Sequence, residues 1–524
     1  MRANQWARAG QTDVFDVIII GGGATGLGVA LDATLRGFKV LLLESHDFGG
    51  GTSSRSTKLL HGGVRYLAQG NISLVHEALA ERTTVLHIAP HLAQPLPFVM
   101  PSYQWWQTPF YGLGLKAYDL LAGKAGLGPT ELLNRAQVQT ALPGVRTDHL
   151  QGGVKYWDGQ FDDARLALAL ARTAERAGAV MLNYADVTAV DNLATQDAKF
   201  DVSVTDKRLG TTHHYQARTL INAAGVWVDQ VRQMVRANDD ITPHHRMVSP
   251  SQGVHVVVHR SFMPAEHALL VPKTQDGRVL FAVPWMGSII LGTTDTPRED
   301  LPREPDAFAS ELEFILREAS RVLLKPVTRD HIKSLWVGLR PLVAAPPSHG
   351  NTATKTLSRE HTIVTDPNGL VTVTGGKWTT YRAMAEDVMT ACFKAGLLPE
   401  RASGATKTHA LVGAAQLGGQ NHAIWQPPGP HLYGSEIHAV RQCPGADHEL
   451  GYGLTEAMVR FAARHEYAQT VEDMLARRWR VLFLDAKEAR RMAPEVARIL
   501  EEETGLDPEL AAFETLTEHY LPQV

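Results

Sequence analysis

The sequence predicts an α/β domain on a parallel sheet, interleaved with an antiparallel-sheet α+β domain and followed by an all-α C-terminal domain. Three observations carry that reading. Asp13–Ile20 and Lys39–Leu43 end in apolar runs, and the Ala-, Leu- and Val-rich stretch Ala24–Arg36 between them reads as a helix. This is a βαβ opening whose strands are buried on both faces. Further on, Phe200–Thr205, Gly253–Val258, Val279–Val283 and Ser288–Gly292 are short β-like runs separated by turns, the pattern of an antiparallel sheet. The tail carries two helix starts: Thr470 with Asp473 ahead of Met474 and Leu475, and Asp485 with Glu488 ahead of Met492, Val496, Ile499 and Leu500, with Gly505 as a stop.

At 524 residues the chain is too long for one simple core. We therefore expect a flexible arm at 1–12, an interleaved body at 13–395 with its antiparallel part at roughly 85–150 and 240–365, a Gly-, His- and Pro-rich linker at 396–446, and a helical domain at 447–524. A formal charge of −4 gives no global field that would draw nucleic acid. The two cysteines, Cys392 and Cys443, form neither a disulfide framework nor a metal cage, so no metal and a reducing compartment are expected. Thr83–Leu115 lacks Asp, Glu, Lys and Arg, but Pro90, Pro95, Pro97, Pro101 and Pro109 break it as a membrane span.

Gly21-Gly22-Gly23-Ala24-Thr25-Gly26 fits GxGxxG between a strand and a helix. Gly21 permits the tight turn, Gly23 lets the backbone approach a pyrophosphate, and Gly26 lets helix and strand pack closely. Glu44, at the end of the next strand, is placed to accept hydrogen bonds from a ribose diol. Instead of further regular βα units, Glu44 leads into Gly49–Ser54 and then Lys58–Leu67, a polar, Gly-rich passage. That passage suits a cofactor lying extended through the protein, and with the small residues Ile221–Gly225 it favours FAD. Thr52, Ser53, His61, Gly62, Ala224, Gly225, Gly376, Lys377 and Thr379 are the further candidate cofactor contacts.

These segments resemble the FAD-dependent, quinone-linked glycerol-3-phosphate dehydrogenases within the D-amino-acid-oxidase-like flavoproteins. The likeness runs through the KLLHGGVRYL segment, Pro250–His255, Phe281–Trp285, Gly292–Asp295, Gly338–Leu342, Ser358–His361, Gly375–Arg382 and Arg464–Asp473, in order along almost the whole chain. It implies oxidation of sn-glycerol 3-phosphate to dihydroxyacetone phosphate, with electrons passed to a membrane quinone. Transfer to oxygen, as in a glycerol-3-phosphate oxidase, and amine oxidation by another member of the superfamily stay open as alternatives. His255 is the leading base, and an ordinary imidazole would titrate near neutrality. Arg340 and Lys377 would polarise the developing carbonyl or stabilise charge on reduced flavin. The resemblance assigns the substrate phosphate to Arg65, Tyr66 and Arg359, guanidinium forks matching phosphate oxygens. It also implies a cytoplasmic protein associated peripherally with the inner face of the cell membrane. A homodimer stays open. Tyr103, Trp105, Trp106, Phe110 and Tyr111 suit a membrane interface or a cap over the substrate domain. Arg460, Arg464, Arg477, Arg478 and Arg480 are expected to pair within the chain.

Overall fold

The computed structural model describes residues 2–63, 71–193, 195, 197–235, 245–275, 277–344, 360–414 and 422–522. Its first sheet is built around β1 (Val14–Ile20) and β2 (Val40–Leu43), which run parallel with Ile20 opposite Leu43. On the other side of β1 lies Thr212–Asn222, also parallel, and beyond it Leu370–Gly375. Val180–Leu182 pairs parallel with β2. Antiparallel strands flank this parallel centre: His361–Thr365 on one edge, and Phe200–Asp206 with Ala185–Asn192 beside Thr212–Asn222.

The second sheet is mainly antiparallel. Val248–His259 pairs with Ser288–Gly292 on one side and Ile332–Val343 on the other, and the sheet continues through Leu280–Trp285, Ala268–Val271, Ala93–Ser102 and Gly152–Phe161. The expected boundaries shift accordingly. Gly152–Phe161 extends the second sheet past residue 150, whereas His361–Thr365 and the run at Phe200 belong to the first sheet. The two sheets are interleaved in sequence as expected, because the chain returns to the first sheet with Val180–Leu182 beside β2, Thr212–Asn222 beside β1 and Leu370–Gly375 beside Thr212–Asn222.

The N-terminal arm packs against the body of the protein. Arg2–Gly10 forms a helix, α1, whose Arg2 guanidinium pairs with Asp206 and whose Gln5 amide donates to Glu175 at 2.8 Å. Nine residues are too few to hold a helix alone. Tertiary contacts hold it here.

The linker reading also changes. Ile424, Leu432, Tyr433, Ile437 and Val440 are buried in the same apolar cluster as Met458, Leu475, Trp479 and Leu500. The second half of 396–446 is thus part of the helical domain's core. That cluster also takes in Phe98, Trp285 and Trp336 of the second sheet, so the helical domain and the second sheet share one core. Both expected helix starts form. Asp473 and Thr470 bond reciprocally to each other's amides, and the Asp485 side chain accepts from the Glu488 amide. Gly505, at φ 68°, ends the helix Ala486–Thr504.

The tail arginines pair within the chain. Arg460 and Arg464 bind Glu503, Arg477 and Arg478 bind Asp47, and Arg480 binds Asp163. The prolines at 95, 97 and 101 lie in the strand Ala93–Ser102, and the charge-free aromatics continue into α3 (Gln107–Ala122), a surface helix with apolar residues on its exposed side as well. Among the described residues, no helix is long and apolar enough to cross a membrane.

Candidate active site and cofactor cleft

The carboxyl ends of the parallel strands converge on one cleft. β1 ends at Gly21, β2 at Glu44, Thr212–Asn222 at Ala223-Ala224-Gly225, and Leu370–Gly375 at Gly376. Together they line a cavity of about 440 Å³. Crevices outside the carboxyl ends of parallel strands are where such sheets bind ligands. The glycines fit this role by measurable crowding. A Cβ on Gly26 would sit 1.9 Å from the Gly21 carbonyl oxygen, so α2 (Ala24–Leu35) approaches β1 only because that side chain is missing. Gly23 has an ordinary extended backbone, φ −81° and ψ −179°, and a Cβ there would meet only Ser53 Oγ at 3.2 Å. Its value is the open space it leaves above the helix N-terminus.

Glu44 lines the same cavity, taking the Gly22 amide at 2.7 Å and the His46 amide at 2.9 Å. Burial pushes its carboxyl up to about 7, against the pull of the Gly22 amide. Further hydroxyl donors from a ribose would favour the carboxylate. Ser53 Oγ accepts the Ala24 amide at 2.9 Å, placing the Thr52–Ser53 segment across the start of α2. The glycine cradle, the helix N-terminus and the buried acid fit a dinucleotide.

A second cavity, about 920 Å³, adjoins the first, and Thr52, Pro341, Gly375, Gly376, Lys377 and Trp378 line both. His255, Arg340, Lys377, His61 and Thr379 face this larger space. The sequence places His61 and Thr379 with the cofactor, but they line the larger cavity, not the first. Gly62 lines neither. Its amide donates to Asp158 Oδ1 at 2.9 Å, and a Cβ there would meet the Tyr118 hydroxyl at 1.9 Å, so it is a packing glycine. Arg65, Tyr66 and Arg359 lie outside the described residues.

His255 is buried in the middle of the strand Val248–His259, opposite Gly292 on one side and Trp336 on the other. Its ring stacks on Trp336 with centroids 5.1 Å apart and planes 15° from parallel. A Cβ on Gly292 would come within 2.7 Å of the imidazole. Thr57 Oγ1 lies 2.9 Å from His255 Nε2. Burial first, then the Arg340 and Lys58 cations, hold the imidazole well below its ordinary range. These surroundings favour the neutral imidazole, and its titration moves to lower pH than the sequence suggests. Arg340 comes from the adjacent strand. It donates to Gln252 O and Thr293 Oγ1 at 3.2 Å each and lies 3.4 Å from Asp295. Gly253 makes room for it, since a Cβ there would touch the guanidinium at 2.1 Å.

Residues that sequence reading passes over also shape the cleft. Asp186, Val187, Trp227 and Arg303 line the first cavity, and Trp378 Nε1 donates to Ser53 O at 2.7 Å across the junction. Thr57 stands just before the KLLHGGVRYL segment, and only the fold brings it to His255.

Residues 16–382 match the model of the FAD-dependent oxidoreductase family, and residues 405–511 match the C-terminal domain of α-glycerophosphate oxidase. A mitochondrial glycerol-3-phosphate dehydrogenase of Arabidopsis thaliana is 37% identical, over 95% of this chain and 84% of its own length. The mitochondrial enzyme of Homo sapiens is 38% identical over 95% of this chain and 71% of its own length. The chain belongs to the FAD-dependent glycerol-3-phosphate dehydrogenases. Members of that family share its architecture. The crystal structure of glycerol-3-phosphate dehydrogenase from Bacillus halodurans, complexed with FAD, superposes with a TM-score of 0.77 at 28% identity, covering 100% of this chain and 99% of that one. The protein is thus an FAD-dependent oxidoreductase.

Proposed function

We propose that the enzyme oxidises sn-glycerol 3-phosphate to dihydroxyacetone phosphate and passes the electrons to a membrane quinone. The observation that carries the chemistry is the buried His255 set with Arg340 and Lys377 around one cavity that adjoins the cleft at the strand ends. In this reading the substrate's secondary hydroxyl gives its proton to His255 Nε2. The Thr57 hydroxyl, able to donate or accept, adjusts beside that nitrogen. Arg340 and Lys377 stabilise negative charge developing on the substrate oxygen. Bound FAD supplies the two-electron acceptor for hydride from the carbinol carbon. Arg65, Tyr66 and Arg359 bind the phosphomonoester, whose charge needs more than one cation.

The acceptor reading rests on α3. Trp105, Phe110, Leu113 and Leu120 are 81, 65, 76 and 84% exposed, an apolar face that water alone does not favour. Lys116 and Lys124 are exposed beside it. Phe110, Tyr111, Leu113 and Leu115 of this helix also line the larger cavity. A helix that lies in the lipid interface would bring the cavity mouth to the level where a quinone resides. This supports peripheral attachment to the inner face of the cell membrane, with the remaining surface in the cytoplasm. A homodimer is a further proposal, compatible with this orientation.

Stopped-flow reoxidation of substrate-reduced enzyme tests the acceptor. With anionic vesicles carrying a quinone, reoxidation should outpace that by air-saturated buffer by tenfold or more, and Leu113→Glu with Phe110→Glu should remove the advantage of vesicles. Faster reoxidation by oxygen would make the enzyme an oxidase.

A further inference from the structure

Behind His255 lies a buried charge cluster to which the proposed reaction assigns no role. Lys58 and Arg480 are fully buried, and each adopts a left-handed backbone at φ 64°, a conformation that a side-chain-bearing residue holds only when its surroundings enforce it. Lys58 Nζ donates to Ser54 O and Asp163 Oδ2 at 2.7 Å each. It also stands 5.1 Å from the ring centres of both Trp336 and Phe483. Arg480, from the helical domain, donates to the same Ser54 carbonyl at 2.8 Å and to Asp163 Oδ1 at 3.0 Å. Asp163 closes the cluster by accepting the Ser56 hydroxyl at 2.7 Å.

Thr57 therefore sits on a segment fastened at Ser54, Ser56 and Lys58, while its own hydroxyl meets His255. The opposite support of the imidazole reaches the same place. Trp336 stacks on His255 and packs against Phe483 at 5.1 Å, and Ser334 Oγ donates to Leu482 O at 2.7 Å. The short helical-domain segment Arg480–Leu484 thus touches both braces of one histidine.

We propose that Lys58 and Arg480 are positioning residues. Through Arg480, the helical domain clamps the Lys58 ammonium and the Thr57 segment against His255, and so sets where and how readily that imidazole takes a proton. The inference rests on the reading of His255 as the base and gives the helical domain a part in the chemistry. Its electrostatic side is simple: a cation behind the ring disfavours the imidazolium. Burial draws the Lys58 ammonium itself well below its usual range, but the Asp163 carboxylate opposes that loss of charge. Other charged groups face the ring or its cavity: Arg340 with Asp295 on the neighbouring strand, Asp162 behind Arg480, and Lys377, His61 and Asp158 around the shared space.

The test uses the FAD-loaded, full-length enzyme. Lys58→Met and Arg480→Met are compared with wild type for the anaerobic rate of flavin reduction by glycerol 3-phosphate across pH, with flavin-to-protein absorbance as the measure of retained cofactor. Both variants should keep FAD. In Lys58→Met the acid limb of the rate profile should move upward by roughly one pH unit, and the maximal rate should fall roughly tenfold with little change in half-saturation. Arg480→Met should move the limb in the same direction. If Lys58→Met does not fold, Lys58→Gln, which removes the charge but keeps a hydrogen-bond donor toward Asp163, takes its place with the same expected shift. A wild-type limb that vanishes in His255→Ala yet stays unmoved in the Lys58 and Arg480 variants overturns this inference alone. A limb that survives in His255→Ala overturns the base assignment and this inference with it.

Discussion

Replacing His255 with alanine is expected to slow anaerobic flavin reduction by about 100- to 10,000-fold, while the protein stays yellow and binds substrate nearly as before. The direction follows from the site. The imidazole lies against Thr57 in the substrate cavity and touches no part of the glycine cradle, so its loss removes a proton acceptor and leaves the cofactor cleft whole. The pH dependence follows from the direction of its shift. Burial and the two nearby cations favour neutral imidazole, so the proton-accepting form already predominates at neutral pH. The wild-type rate should stay level through neutrality and fall only as the pH drops through the lowered titration, below the usual histidine range. The alanine variant should lose that limb. A cavity left under Trp336 would instead give a modest loss that is independent of pH. Arg340 offers the competing route, since a cation beside the alcohol could let water act as the base. A near-normal rate with an unchanged profile in His255→Ala would leave Arg340 or Lys377 as the organising group.

Gly23→Val is expected to yield folded protein without flavin. Residue 23 has an extended backbone that valine adopts freely, and its nearest neighbour is a serine hydroxyl, so folding gives little reason to reject the change. The valine methyls would fill the space above the α2 N-terminus that a pyrophosphate needs. Gly26→Val makes the contrast. Its Cβ would collide with the Gly21 backbone, so that variant should lose thermal stability as well as colour. Absorbance and circular dichroism of the two purified variants separate the cases. A folded Gly23→Val protein with a full complement of FAD would contradict the placement of the cofactor.

Much of this was legible before any coordinates. The βαβ opening, GxGxxG and Glu44 are local signals, each needing only a short stretch of chain, and the strand ends gather them as expected. The caps at Thr470 and Asp485 were legible for the same reason. What sequence reading missed is long-range. α1 is only nine residues long and pairs with Asp206, some two hundred residues away. The stretch taken as a linker shows no helical or strand period, yet its isolated Ile424, Leu432 and Tyr433 are buried in the helical domain's core, where Phe461 and Trp479 meet the Tyr433 ring. Gly62 stands in a motif that the sequence assigns to the cofactor, and the motif gives no sign that its missing side chain serves Tyr118. The ordinary titration expected of His255 fails for a similar reason. Neither its burial nor the cation behind it can be read from the neighbours in its own strand.

The central claim is that one cavity joins bound FAD to a base and cations suited to a phosphorylated secondary alcohol. Anaerobic titration of the purified holoenzyme with glycerol 3-phosphate tests this most directly. Added substrate should bleach the oxidised-flavin absorbance nearly stoichiometrically and yield dihydroxyacetone phosphate, while unphosphorylated glycerol at the same concentration should bleach it far more slowly. Flavin that stays oxidised with glycerol 3-phosphate, or is reduced as fast by glycerol or by an amine, would contradict the account.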